Sequence, residues 1–209
     1  MTVGIAAFGP GAGAAVVAGW NAAETGVTGD IGGFAVFTAI LPQAGPLSVQ
    51  CQRGGLTAVR AAWGDVLGLM LRAPVAAVIT SGPDRAVPLS QFLAASHNGL
   101  VTGHRRPDRA GADGVPVNIA ALRLLDAGAT PDDAVRQVTD ANPDIDAGLI
   151  AVTAKAVALA DTALVMHRRD RGRALIRHPD RGLAVLHNSI QPQAGYAERI
   201  AQAGMTAFS

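Results

Sequence analysis

Thr2-Val3-Gly4-Ile5-Ala6-Ala7-Phe8 is followed at once by Gly9-Pro10-Gly11. The seven residues are a short, almost wholly apolar run, and the Gly-Pro-Gly step breaks regular structure. A run of that length, closed by breakers, reads as a buried strand. Ala12 to Thr25 then offers Ala14, Ala15, Val17, Ala18, Ala22 and the larger Trp20. Alanine is the best helix former, and Gly26 is a suitable C-terminal cap, so a helix follows the strand.

Working outward, Ile31 to Leu41 carries Phe, Val, Thr and Ile, which fit a pleated surface. With the turn at Gln43-Ala44-Gly45-Pro46 and the run Leu47 to Gln52, it predicts a hairpin. Leu56 to Arg72 has Val59, Trp63, Val66, Leu67 and Met70 near helical spacing. Val75 to Thr80 reads as a strand closed by Ser81-Gly82-Pro83-Asp84. Residues 81–116 are rich in Gly, Pro, Asp and Arg and predict long loops around short strands, a setting that often carries function. Pro116 to Ala127 is a helix ended at Gly128. Thr130 caps the next helix, with Pro131 first and Asp133 three residues after the cap, and Asn142-Pro143 ends it. Ala147 to Val152, Ala156 to Val165 and Gly182 to Leu186 read as closing strands. No fixed-period repeat or linker divides the chain, so residues 1–209 are expected to form one α+β domain.

Composition narrows the function. Of the 209 residues 49% are hydrophobic and 16% charged, enough for a sizeable core and too apolar for a disordered chain. The net charge of +1 gives no general attraction to nucleic acid or anionic membrane, and neither is an expected partner. No Lys or Arg precedes Arg53, which argues against a secretory signal. The opening apolar run breaks well short of the roughly 18 residues of a membrane span. The cytoplasm is the expected location. Cys51 is alone, so no intrachain disulfide is expected. His97, His104, His167, His178 and His187 show no metal-ligand spacing, and neither a metal nor another cofactor is expected. His104, beside Arg105 and Arg106, reads as a surface residue. Gly9-Pro10-Gly11-Ala12-Gly13 lacks the Lys and Ser/Thr of a phosphate loop. The basic stretch from His167 to Arg181 contains Asp170 and Asp180 and reads as a solvated loop with local ion pairs.

The order of elements, with the residues at its corners, resembles the glutaminase domain of class II glutamine amidotransferases. In that family a nucleophilic Cys opens the first strand as C-G-I-x-G; here Thr2-Val3-Gly4-Ile5-Ala6 opens the chain. The family's R-G-x-D-S-A-G-I-A-V entering the hairpin is similar to Thr25-Gly26 and then Asp30-Ile31-Gly32-Gly33-Phe34-Ala35-Val36. Its H-T-R-W-A-T-H-G strand end corresponds to Ala76 to Gly82, its H-N-G to His97-Asn98-Gly99, and its S-D-[ST] to Ala112-Asp113-Gly114. The pieces are short and spread over roughly residues 2–165. Three departures matter. Thr replaces Cys, and the two family Arg residues are missing, with Thr25 and Ser81 near their places. The second of those Arg residues grips the substrate's α-carboxylate in the family. Other N-terminal-nucleophile hydrolases, such as proteasome-like and asparaginase-like ones, use Thr, so that superfamily is the closer likeness.

The resemblance implies a four-layer αββα sandwich of mainly antiparallel sheets and cleavage of a small-molecule amide. Thr2, freed of Met1, would be nucleophile and, through its own amine, base. An α-amine has an ordinary pKa of about 7.7–8.0, close to working pH. Asn98 and Gly99 would stabilise the oxyanion, and Asp113, Thr80, Ser81 and His97 would line the substrate. Each has a plainer reading. Thr2 is also an ordinary first residue, Asn98-Gly99 a turn, and Asp113-Gly114 a turn or helix cap. A non-catalytic binding or assembly protein of the same fold, and a glutaminase subunit feeding ammonia to a partner, are the alternatives. Exposed apolar faces in so Gly- and Ala-rich a chain allow a homo-oligomer.

Overall fold

In a computed structural model, which describes residues 1–26, 33–82, 89–188 and 194–208, Thr2–Phe8 forms β1, with all seven residues buried. Its run is continuous rather than alternating because both faces are covered. Val3, Ile5 and Ala7 face a layer of helices, while Ala6 and Phe8 face a second sheet. Asp30 to Gly32 and the Pro83-Asp84 turn lie outside the described residues.

After β1 come α1 (Ala12–Thr25), β2 (Ala35–Leu41), β3 (Gly45–Cys51), α2 (Gly55–Trp63), α3 (Leu67–Arg72) and β4 (Val75–Ser81). The helix expected from Leu56 to Arg72 is therefore two, separated by a 3-10 turn at Gly64–Val66. Gly64 has φ +49°, which interrupts the α geometry. Then follow β5 (Ala94–Ala95), β6 (Leu100–Arg105), α4 (Val117–Asp126), α5 (Pro131–Ala141), β7 (Ala147–Val152), β8 (Val157–Asp161), α6 (Ala163–Met166), β9 (Arg171–Arg177), β10 (Gly182–Asn188) and α7 (Tyr196–Thr206). The Thr130 cap forms as expected, accepting from the Asp133 N–H at 3.1 Å. The strand expected from Ala156 to Val165 stops at Asp161, because Thr162 caps α6 through the Val165 N–H.

Two antiparallel sheets result. One has the order β3-β2-β4-β1-β10-β9, the other β5-β6-β7-β8. Three apolar clusters separate four layers. Trp20 of α1, Trp63 of α2, Met70 of α3 and Ile200 of α7 cover one face of the larger sheet, where Trp63 meets Phe37 edge-on at 4.8 Å. Phe8, Phe34, Phe92, Leu100, Ile150 and Leu186 fill the space between the sheets. Leu122 and Leu125 of α4 and Val135 and Val138 of α5 close the outer face of the smaller sheet. The chain is thus α+β, with helices outside two antiparallel sheets. No helix among the described residues is long and apolar enough to cross a membrane.

β9 and α7 were not expected. Arg171, Arg173, Leu175 and Arg177 share one face of β9, an edge of the larger sheet, while Ala174 and Ile176 pack on the helix-side core. The period of two is present in the sequence but hidden by the density of Arg.

Where β6 crosses β1, the sheets approach closer than side chains normally allow. A Cβ on Gly4 would fall on the Gly103 carbonyl oxygen and lie 2.8 Å from its carbon. These are backbone atoms and cannot move alone, so Gly4→Ala has to push the sheets apart. We expect Gly4→Ala to lower the unfolding free energy in urea by about 2–3 kcal/mol. Gly68→Ala in α3, where a Cβ meets only the flexible Arg72 guanidinium at 3.3 Å, should leave stability unchanged or raise it by up to about 1 kcal/mol.

Candidate functional site

Strand pairing sets Arg171, Asn188, Thr2 and Ser81 in one row across β9, β10, β1 and β4. Residues directly opposite in antiparallel strands share a face. Leu186, two places before Asn188, and Ala6, four after Thr2, lie in the inter-sheet core. The row therefore faces the second sheet.

The second sheet answers with its own row, Asp161 of β8, Gly148 of β7 and His104 of β6. His104 Nε2 meets Asp161 Oδ1 at 2.8 Å, across the intervening strand. The contact exists because position 148 is glycine; a Cβ there would fall on both side chains. Arg171 Nη1 donates to Asp161 Oδ2 at 3.0 Å and ties the two rows together. Because Asp161 sits over Arg171, His104, two strands further along, is carried toward β1, where its neighbour Gly103 touches Gly4. His104 is fully buried, and its Nδ1 has no partner among the described residues. Arg105, next in the chain, holds φ +63°, a strained value for a side chain of its size. Its guanidinium pairs with Asp146 and Asp170.

At Thr2 the backbone N–H donates to Asn188 Oδ1 at 3.2 Å, and the hydroxyl makes a long contact of 3.4 Å to Ser81 Oγ. The Met1 carbonyl oxygen, one bond before Thr2, accepts from Ser81 Oγ at 2.8 Å and from the Gly82 N–H at 3.2 Å. Two donors thus converge on one carbonyl oxygen beside the Thr2 hydroxyl.

Of the residues expected at the site, Thr2 and Ser81 come together. Thr80 does not join them: alternation turns it to the helix-side face, where its hydroxyl donates to the Phe34 carbonyl at 3.1 Å. His97 and Asn98 border a cavity of about 280 Å³ with Ile40, Leu41, Pro74 and Val75. Val75 and Ser81 are the two ends of β4, about 20 Å apart. The oxyanion role expected of Asn98 and Gly99 is thereby corrected, since neither reaches Thr2 across that length. Asn98 Nδ2 donates to Asp126, and Ser96 N donates to the Gly99 carbonyl, so His97-Asn98-Gly99 is a turn. His97 rests against Gly45 at that same far end. Asp113 also lies elsewhere, beside α4 and α5 on the outer side of the second sheet, where its carboxylate accepts from the Val115 N–H in a local turn.

His104, Asp161, Arg171 and Asn188 were not anticipated. Leu100, Thr102 and His104 alternate onto one face of β6, a signal obscured by the Arg105-Arg106 pair that follows. Among the described residues no three His, Cys, Asp or Glu side chains gather as a metal ion requires.

Charge at this end is balanced internally. Burial alone would raise the Asp161 pKa, but the His104 hydrogen bond and the charges of His104, Arg171 and Arg173 outweigh it and hold the carboxyl below its ordinary range. On the opposite face of β10, His187 lies over Gly172 and edge-on to Tyr196 at 4.9 Å. Burial, reinforced by His104 and opposed by Asp170, depresses its pKa to about 4. The unfolded chain, with His187 near 6.5, then binds a proton on acidification that the folded chain refuses, so stability falls as pH drops through that window. Urea unfolding should show a loss of about 2 kcal/mol between about pH 7 and about pH 5, and His187→Gln should flatten that slope.

No curated protein matches the chain. The model of one family, Domain of unknown function (DUF6963), matches residues 2–209, and the chain belongs to that family.

Proposed function

We propose that this protein is an amidohydrolase of the N-terminal-nucleophile type that cleaves an amide bond of a small molecule, with Thr2 as nucleophile once Met1 is removed. The observation that carries this reading is the two-donor cradle around the Met1 carbonyl. Ser81 Oγ and the Gly82 N–H hold that oxygen at 2.8 and 3.2 Å. Loss of Met1 releases both donors beside a hydroxyl that gains its own amine. Such an arrangement suits acyl transfer, because a tetrahedral intermediate needs donors aimed where negative charge develops. In this reading Ser81 and Gly82 take the part expected of Asn98 and Gly99, and Asn188 positions the Thr2 amine. The layering of helices, two sheets and helices, with Thr2 opening the central strand toward the facing sheet, supports an N-terminal-nucleophile-like sandwich. A glutaminase is a weaker fit, since no Arg stands where that family grips the α-carboxylate.

One observation favours a non-catalytic reading instead. Met1 also packs against the helix-side core, as a residue meant to stay would. Intact-mass measurement separates the two. The amidohydrolase predicts a chain beginning at Thr2, labelled there by an electrophilic acylating probe. Thr2→Ala should abolish the label, and Ser81→Ala should slow acylation by about 100- to 1,000-fold, the usual cost of one oxyanion donor. A mature chain that keeps Met1 and takes no label at Thr2 would establish the binding or assembly protein.

A further inference from the structure

We infer that His104, held by Asp161 and Arg171, is the proton acceptor that activates water for release of the acyl group from Thr2. The inference rests on the Thr2 reading but assigns a task to a group that reading leaves idle. A His–Asp hydrogen bond spanning two strands is an unusual thing to bury, and three features show that it is built. Gly148 clears the path beneath it, Arg171 occupies the second carboxylate oxygen, and the strained Arg105 terminates β6 immediately beyond it.

The arrangement fixes the orientation of the ring. With Nε2–H donating to Asp161 at 2.8 Å, the lone pair falls on Nδ1, a buried atom without a partner among the described residues. Asp161 lies over Arg171, and the row from Arg171 through Asn188 to Thr2 runs under the row from Asp161 through Gly148 to His104. His104 and Thr2 therefore face the same inter-sheet space. A buried polar atom with no protein partner is suited to hold a water.

In the step, Nδ1 takes a proton from that water as its oxygen bonds to the acyl carbon of the Thr2 ester. The bond from that carbon to Oγ1 then breaks, Oγ1 recovers the proton from the ring, and a carboxylic acid leaves. Asp161 steadies the charged ring during transfer, and Arg171 keeps Asp161 ionised.

The test uses the mature full chain and p-nitrophenyl acetate, whose good leaving group acylates without help. Stopped-flow release of p-nitrophenol reads acylation, and mass spectrometry follows the acetyl group on Thr2. We expect His104→Gln to acetylate at a rate near wild type and to keep the acetyl group at least about 100-fold longer. Asp161→Asn should lengthen its lifetime to a lesser degree. Nitrogen-15 NMR of the unaltered protein supplies a readout independent of any variant's folding: His104 should carry its proton on Nε2 and none on Nδ1. Acetyl-Thr2 with an unchanged lifetime in folded variants, or a protonated Nδ1, overturns the role of His104 and leaves the nucleophile standing. Absence of acetyl-Thr2 in wild type overturns both.

Discussion

Two glycines in contact, Gly4 on β1 and Gly103 on β6, set the distance between the sheets, and the polar end of the sandwich depends on that distance. Stacked sheets ordinarily sit about 10 Å apart, filled by interdigitating side chains. Along β1 and β6 the filling thins from Phe8 and Leu100 to bare backbone where Gly4 meets Gly103. The closer spacing lets Arg171 on one sheet reach Asp161 on the other at 3.0 Å. Wider separation would leave Asp161 with a burial penalty and fewer charges to offset it.

The same closeness explains why the core is asymmetric. Large residues such as Trp20, Trp63 and Phe37 are gathered on the helix side of the larger sheet. Between the sheets, aromatic bulk is divided: Phe8 fills one end, while Phe34, whose carbonyl accepts from the Ser81 N–H, packs with Phe92 toward the Thr2 end, their rings 5.2 Å apart. At the Thr2 end the Phe34–Phe92 packing stands beside the hydrogen bonds and charge pairs around Ser81 and Asp161.

Much of the fold was legible in the sequence, for reasons that can be traced to particular residues. The breaker after Phe8, the alanine-rich helix, the hairpin around Gly45 and the Thr130-Pro131 cap are local signals, and each appears in the structure. The Gly64 interruption and the short β8 depend on backbone geometry that an apolar period does not register. Placement of the site was less legible. Thr2 and Ser81 meet because β1 pairs with β4, which follows from the opening strand being central. Asn98-Gly99 lies at the wrong end because the turn precedes β6 and the strand then runs the length of the sheet toward Thr2. A short motif shows residue type and order, but not the direction in which its strand travels. His104 and Asp161 are far apart in sequence and separated by a whole strand in space, so no spacing rule joins them. Only the absence of a side chain at Gly148 does.

The arginines along β9 bear on how the larger sheet ends. Arg171, Arg173 and Arg177 line one face of a strand that, among the described residues, lies at the edge of its sheet. Charged side chains repeated along such an edge, with Arg171 paired to Asp161 and Arg177 to Asp132, discourage strand-to-strand extension. That border is thus ill suited to extension of the sheet by a further strand.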